Sequence, residues 1–331
     1  YKMLKSTKFI LLPMVFLSLF GLFGLFVFGH AAGNAQSWFK LGPLSIQPSE
    51  FVKLFVIIYL SAVYAKKQSY INQFNHGVLP PLAYLILVCG LTAIQPDFGT
   101  AMIIGLIGCT IIVSSGMNFK NIFKLILICV LVLAPFVLVF HGKIFSEKRM
   151  SRVAVLSDPF ATAGTTGFHL ANSYIAIGSG GVNGLGLGKG IQKLGYLPES
   201  HTDFIMAVIA EELGIWGVGF VIITLAYIVL RGVYIGLQCK DPFGSLLAIG
   251  ISSMIGIQTF FNLAGVSGVM PLAGVPLPFI SYGGSSLLQL AIASGILVNV
   301  SMFVTYEKRY KNNQESKDKK AHTKDGKVFY I

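Results

Sequence analysis

The feature that most constrains this chain is a series of apolar runs, each close to the thickness of a bilayer. A helix crossing the hydrocarbon core needs roughly 20 mostly apolar residues. Eight runs approach that length: 9–29, 47–65, 78–94, 100–117, 122–140, 204–232, 245–265 and 285–305. Hydrocarbon offers the backbone no water to bond, so such runs are expected as helices that satisfy their own N–H and C=O groups. Composition agrees. Of 331 residues, 54% are hydrophobic and 11% charged, whereas a soluble chain carries about 25% charged residues. These values, with a mean hydropathy of +0.73, exclude a soluble globular enzyme and a disordered chain. The 37 glycines follow no collagen-like period. The first run is too long for a cleavable signal peptide and no A-x-A site follows it, so it is expected to remain as a span. Cys89, Cys109, Cys129 and Cys239 lie in or beside apolar runs without CxxC spacing, which suggests reduced core residues rather than a disulfide or metal framework. The expected fold is all-α, a polytopic transmembrane helix bundle. Residues 1–305 form one integral membrane domain and 306–331 a basic tail.

Orientation follows from the positive charges. With both ends cytoplasmic, the inner segments are 1–8, 66–77, 118–121, 233–244 and 306–331. Together with the flanking Lys124 and Arg231 they hold 17 of the 25 Lys and Arg residues, as the positive-inside rule demands. The net charge of +12 is thereby explained by topology and by anchoring near anionic lipid, not by nucleic acid. Four outer segments remain, approximately 30–46, 95–99, 141–203 and 266–284. They carry most of the Gly and Pro clusters and nearly all the distinctive polar residues. A 63-residue outer loop exceeds what a simple channel bundle needs, and long loops are usually functional. The chemistry is therefore expected on the outer face, where no ATP is available.

Several residues there admit both a plain and a functional reading. Lys143, Lys148, Arg149, Arg152, Lys189 and Lys193 form either a tolerated solvated face or an anion site; the guanidinium forks of Arg149 and Arg152 suit phosphate oxygens. Glu50 and Lys53, three apart in QPSEFVKL, are neighbours on a helix and costly at membrane depth unless paired. They form a structural pair or line a polar cavity. Asp97, in the turn QPDFGT, caps the next helix or reaches that cavity. Asp203 ends the polar cluster Pro198–Asp203, directly before an apolar run. It is a helix cap or a general base towards a hydroxyl. A Ser200–His201–Asp203 triad is rejected, because sequence neighbours do not build a triad and no nucleophile elbow is present. Glu211 and Glu212 lie inside a span and are read as structural. The run GSGGVNGLGLGKG is not a Walker A loop, since Lys189 is followed by Gly190; tight turns or a backbone anion nest fit it better. The segment GVMPLAGVPLPFISYGGSS has three prolines and reads as a re-entrant outer loop.

Taken together, GNAQSWFKLGPLSIQPSEFVKL, QPDFGTAM, SDPF, NSYIAIGSGG, GLGLGKGIQKLGYLPESHTDFIMAVIAEELG and PLPFISYGGSS resemble the SEDS family (shape, elongation, division and sporulation proteins). The motifs run in family order over nearly the whole chain, and the likeness is greatest to division-type members from Bacillus-like bacteria. The resemblance implies a peptidoglycan glycosyltransferase that polymerises lipid II on the outer face of the cytoplasmic membrane. It carries the essential aspartate onto Asp203, and the cavity-lining acid and base onto Glu50 and Lys53. Arg149 and Arg152 match the basic stretch before the DP motif. Asp97, Lys193, Glu199, His201 and Ser281 complete the candidate substrate contacts. The implied partners are lipid II and the growing glycan strand, a class B penicillin-binding transpeptidase, divisome or elongation proteins, and membrane lipid, with no nucleic acid. No metal ligands and no tightly bound cofactor are expected, though the chemistry admits a divalent cation. The sequence departs from the family pattern at Ser37, where Arg is frequent, and at Gly195, where some members have an acid. Family members also commonly have ten spans, so two further spans are expected to belong before Tyr1.

Two other functions fit membership of such a family: a flippase for lipid II and a scaffold for a transpeptidase. A flippase needs a charged path across the bilayer, whereas here acids and bases gather at the outer side. A scaffold leaves Asp203 unexplained. The orientation is tested by placing single cysteines at Thr165 and Ser316 and treating intact cells with an impermeant thiol reagent. Thr165→Cys is expected to label and Ser316→Cys to stay protected; labelling of Ser316→Cys alone would invert the topology.

Overall fold

The computed structural model describes residues 1–325 apart from 6, 33–34, 42–43, 69–70, 72, 140–149, 151–152, 163 and 166. For 7–8, 30–32, 35–37, 40–41, 44, 75–76, 129, 132–139 and 311–325 the description extends to the backbone only. Its helices are α1 (Leu12–Phe28), α2 (Pro48–Lys66), α3 (Phe74–Gly77), α4 (Leu79–Ile94), α5 (Phe98–Ser114), α6 (Phe119–Val139), α7 (Phe168–Gly180), α8 (Ile205–Gln238), α9 (Pro242–Val266) and α10 (Gly284–Asp325). All eight expected spans appear as helices. Those at Phe9–Phe28, Pro48–Lys66, Ile205–Gln238, Pro242–Val266 and Gly284–Tyr310 are long and apolar enough to cross a bilayer unaided; α4 and α5 are shorter apolar helices. This is a multi-pass membrane protein.

Local sequence sets the helix starts. α1, α2, α4 and α9 each carry proline in the first turn, where its missing N–H costs nothing and its fixed φ suits the helix. α10 runs on beyond the expected span as far as Asp325, because no Gly or Pro interrupts the polar sequence before Gly326.

Three features of the outer segments differ from a simple loop reading. The first outer segment folds as a small antiparallel sheet, β1 (His30–Ala32), β2 (Ala35–Leu41) and β3 (Leu44–Ile46), in the order β1-β2-β3. Gly33-Asn34 and Gly42-Pro43 separate the three strands in the sequence, the spacing expected of hairpins. The Phe39 ring lies 3.3 Å from where a Cβ on Gly24 would sit, so the sheet rests on the outer end of α1. The large outer loop contains α7, whose Ser173 and Tyr174 hydroxyls donate to the carbonyls of Val266 and Ser267 at the end of α9. The segment 268–283 is non-helical, as expected, and buries Val275 and Leu277.

Burial ranks the helices. Of the most apolar stretch, 67% is buried in α2 and 61% in α9, against 17% in α8. The first two form the centre, and α8 leaves most of its surface exposed. Close approach at the centre depends on a small residue. A Cβ on Gly250 of α9 would lie 2.8 Å from the Ile57 side chain of α2 and 3.0 Å from that of Ile111 of α5. In lipid, where helices gain little from apolar burial against one another, such contacts drive association. Gly250→Val is expected to cost about 1–3 kcal/mol through overpacking. Gly90→Ala, with open space around its Cβ, should leave stability unchanged or slightly raised. Thermal unfolding of both variants in the same detergent checks the contrast; equal melting temperatures would show that Gly250 is not the tight point.

Candidate active site

The site is built where α2, α5, α7 and α8 meet the loop 268–283 at one end of the bundle. In α2, Glu50 lies in the first turn and Lys53 one turn on. Their side chains meet at 2.8 Å between Oε1 and Nζ, at 3% and 1% residue exposure. Glu50 Oε2 is buried with no protein partner, so the pair is not a closed structural unit. Leaving such an oxygen unsatisfied is costly, and it marks a polar point in the interior. Asp97 caps α5 by accepting from the Thr100 backbone N–H at 3.2 Å, in line with the plain reading of that residue. Burial raises its carboxyl pKa, opposed by the hydrogen bonds to Thr100 and by Lys53. Glu50, Lys53 and Asp97 therefore act on one another electrostatically. Two residues on, a Cβ at Gly99 would press into the Ala273 carbonyl, so the start of α5 sits directly against the last outer loop.

Asp203 lies on the other side of that loop. Its Oδ2 is 3.9 Å from the Cβ position of Gly274, whose φ of +65° already disfavours a side chain. Asp203 does not cap α8. Phe204 occupies the N-cap position and no side chain bonds there. The carboxylate is thus left for other work, while its backbone is pinned. The Asp203 carbonyl accepts from Asn262 Nδ2 at 2.8 Å, and the same amide donates to Val275 O at 2.8 Å. One amide from α9 therefore joins the aspartate turn to the last outer loop. Ser281 Oγ donates to Thr202 O at 2.6 Å and accepts from Leu277 N at 2.7 Å. Tyr282 N donates to His201 O at 2.8 Å. Glu199 holds the start of the turn in the left-handed region, φ +58°; its carbonyl accepts from the N–H groups of Thr202 and Phe204, and its carboxylate from Thr202 Oγ1. Burial first, and the neighbouring Glu199 charge second, push the Asp203 pKa up to about 6. A carboxylate so poised is a stronger base than an exposed one yet still ionised at neutral pH.

The glycine-rich loop is an anion nest, and its anions belong to the protein. The N–H groups of Gly188 and Gly190 donate to Glu212, and those of Ile191 and Gln192 to Glu211. Lys193 pairs with Glu212, so its ammonium is already engaged within the loop. The structural reading of both glutamates holds. Gly184, at φ +73°, comes so close to the Glu212 carbonyl that no side chain fits. At Gly214, φ +64°, α8 breaks where its backbone meets Val182, and Ile215 N donates to Val182 O at 3.1 Å.

The structure thus brings Asp203, Glu199, His201 and Ser281 into one knot and sets Glu50, Lys53 and Asp97 across the loop from it. Glu199 and His201 are exposed, whereas the Ser281 hydroxyl is fully used in holding the loop. Arg149 and Arg152, with Lys143 and Lys148, lie outside the described residues. Among the described residues no three His, Cys, Asp or Glu side chains gather as metal ligands would. Two residues of the site escape sequence reasoning. Asn262 has a faint signal, an amide inside the apolar run TFFNLAG. His169 has none; its ring stacks on Phe204 at 6.0 Å and 11°, with Nδ1 buried and unpartnered.

Comparison with known proteins places this geometry. The chain is 57% identical over 317 residues to the probable peptidoglycan glycosyltransferase FtsW of Bacillus subtilis, covering 95% of this chain and 78% of the relative. It is 38% identical over 284 residues to stage V sporulation protein E of the same organism, covering 84% and 74%. The fold matches a solved chain from work on structural coordination of polymerization and crosslinking by a peptidoglycan synthase complex. That match has a TM-score of 0.70 at 27% identity, over 88% of this chain and 80% of the other. The family model FTSW_RODA_SPOVE, described as Cell cycle protein, covers residues 2–306, and with these likenesses the chain belongs to that family, the SEDS proteins whose motifs its sequence carries.

Proposed function

We propose that this chain is a membrane peptidoglycan glycosyltransferase that polymerises lipid II on the outer face of the cytoplasmic membrane, in division or in shaping the cell. The family and the relative named as a probable peptidoglycan glycosyltransferase support the activity. The observation that carries the mechanism is Asp203: a partly buried carboxylate with a raised pKa, not used in capping, on a backbone held by Asn262.

The proposed step is a single displacement. The 4-hydroxyl oxygen of the acceptor sugar attacks the anomeric carbon of the lipid-linked donor, and the new C–O bond forms as the bond to pyrophosphate breaks. Asp203 accepts the hydroxyl proton, undecaprenyl pyrophosphate leaves with the bonding pair, and the configuration inverts. Glu50, Lys53 and Asp97 lie across the loop and are proposed to contribute to substrate binding there; the Glu50 oxygen without a protein partner is itself buried. Arg149 and Arg152 are proposed to hold the pyrophosphate. Hydroxyl, donor and leaving group all come from the substrates, so no tightly bound cofactor is proposed; a divalent cation on the pyrophosphate is a matter for chelation experiments. Both ends of the chain are proposed to be cytoplasmic. The similarity to a peptidoglycan synthase complex that couples polymerization and crosslinking supports a class B penicillin-binding transpeptidase as partner. The flippase reading gains no support. Glu50, Lys53, Asp97 and Asp203 all lie at the same end of the bundle, and the inner half offers surface lysines instead.

Asp203→Asn separates a catalytic role from a structural one. Asparagine keeps the shape but is no base, so polymerisation of lipid II by purified protein is expected to fall by about 10²–10⁴-fold. Stability should move the opposite way. A raised folded pKa means the native state binds more protons than the unfolded chain between the ordinary value of 3.8 and about 6. Stability is therefore lost as pH rises through that window, by on the order of 1–3 kcal/mol. At pH 7 Asp203→Asn should melt at the same temperature or higher, and wild-type activity should climb with pH through about 6. An active, or an inactive but unfolded, variant defeats the assignment. For the leaving group, the double change Arg149→Gln/Arg152→Gln should lower kcat/KM for lipid II with unchanged melting; unaltered kinetics would remove both arginines from the site.

A further inference from the structure

A cavity of about 600 Å³ opens at the end of the bundle opposite Asp203, between α1, α2 and α4. That volume lies within the roughly 300–1,000 Å³ of ligand sites. Its walls are apolar, formed by Val15 and Phe16 of α1 and by Ala62 and Val63 of α2. Its deep end is closed by aromatic rings: Tyr59 and Tyr84 lie 4.6 Å apart, and Tyr84 OH shares a 2.8 Å hydrogen bond with Ser18 Oγ. Lys5, Lys66 and Lys67 also line the cavity. Leu12 and Phe16, each about half exposed, line one side of it. The entry to α1 is irregular, a π-type turn at Thr7–Leu11 followed by Pro13, which interrupts the regular helical ladder beside the cavity.

We propose that this cavity binds an anionic glycerophospholipid of the inner leaflet, with its phosphate headgroup among Lys5, Lys66 and Lys67 and an acyl chain along α1. The argument is charge complementarity at a fixed depth. The proposed orientation, on which this inference rests, puts this end at the cytoplasmic face, which would set the lysines at headgroup level and the apolar walls in the hydrocarbon. Basic pockets between transmembrane helices on that side are suited to anionic headgroups, whereas a soluble anion has no use for the apolar walls. The site is independent of the catalytic reading, and no residue in it takes part in the proposed reaction.

The test is native mass spectrometry of the purified chain with dioleoyl phosphatidylglycerol or dioleoyl phosphatidylcholine, lipids that share acyl chains but differ in net charge. Phosphatidylglycerol should be retained preferentially, with the preference lost by roughly ten-fold or more in Lys66→Gln/Lys67→Gln. Val15→Trp, which fills the groove without changing charge, should lose the retained lipid. Both variants should melt with the wild type. Equal retention of the two lipids, or an unchanged preference in the lysine variant, overturns the proposal. Release of phosphatidylglycerol by inorganic phosphate alone shows a simple anion site and overturns it too. A photoreactive benzoylphenylalanine at position 16 then identifies the occupant in cells. An adduct of phospholipid mass is expected; an adduct to polypeptide only shows that a protein segment fills the groove.

Discussion

Non-helical backbone within the hydrocarbon must find partners for its N–H and C=O groups inside the protein or at a water-filled cavity, and irregular chain packed against spans takes many of its partners from them. The outer half of this molecule is organised by the way those partners are supplied. The glycine-rich loop obtains its acceptors from Glu211 and Glu212, two acids about two turns into the long α8. The loop 268–283 is tied down by Asn262 and Ser281, each of which bonds both that loop and the turn carrying Asp203. The same polar groups that allow irregular chain at this depth thereby fix the geometry of the candidate catalytic carboxylate. Removing one would loosen a wall and misplace Asp203 together.

Energetically, the site runs against the bundle that holds it. The centre is densely packed, with α9 touching α2 and α5 across Gly250. At the outer end, by contrast, Glu50 keeps a buried oxygen without a partner, Asp203 holds a charge in a largely buried setting, and Glu199 sits in a left-handed conformation. Each feature costs stability. Strained, incompletely bonded groups gather at one end while a well-packed core carries their cost, which is the pattern expected of a site rather than of a structural feature.

The two ends of the bundle treat charge differently. At the end that carries Asp203 the charged groups are few, partly buried and tied to one another. At the opposite end the lysines are exposed or line an apolar cavity. The first arrangement suits chemistry that needs a defined pKa, and the second suits attraction to an anionic surface.

The sequence by itself determined the spans, because a run of about 20 apolar residues has only one solution in hydrocarbon. All eight appear as helices, and Pro48, Pro80 and Pro242 mark starts that local chemistry dictates. Asp97 as a cap and the close glycines of the loop before Leu197 were legible for the same reason: capping and left-handed backbone are local properties. The motifs also revealed the family. What the tertiary structure decided is long-range. A cluster of polar residues before a span reads equally as cap or base, and only the fold shows Phe204 at the N-cap with the Asp203 carboxylate turned to Gly274. Lys193 reads as a free cation until Glu212, 19 residues on, is seen to hold it. Asn262 lies 59 residues from Asp203 and His169 stacks across helices, so neither carries a local signal. The three strands between α1 and α2 are likewise set by pairing and by packing on Gly24, contacts that no hydropathy pattern encodes.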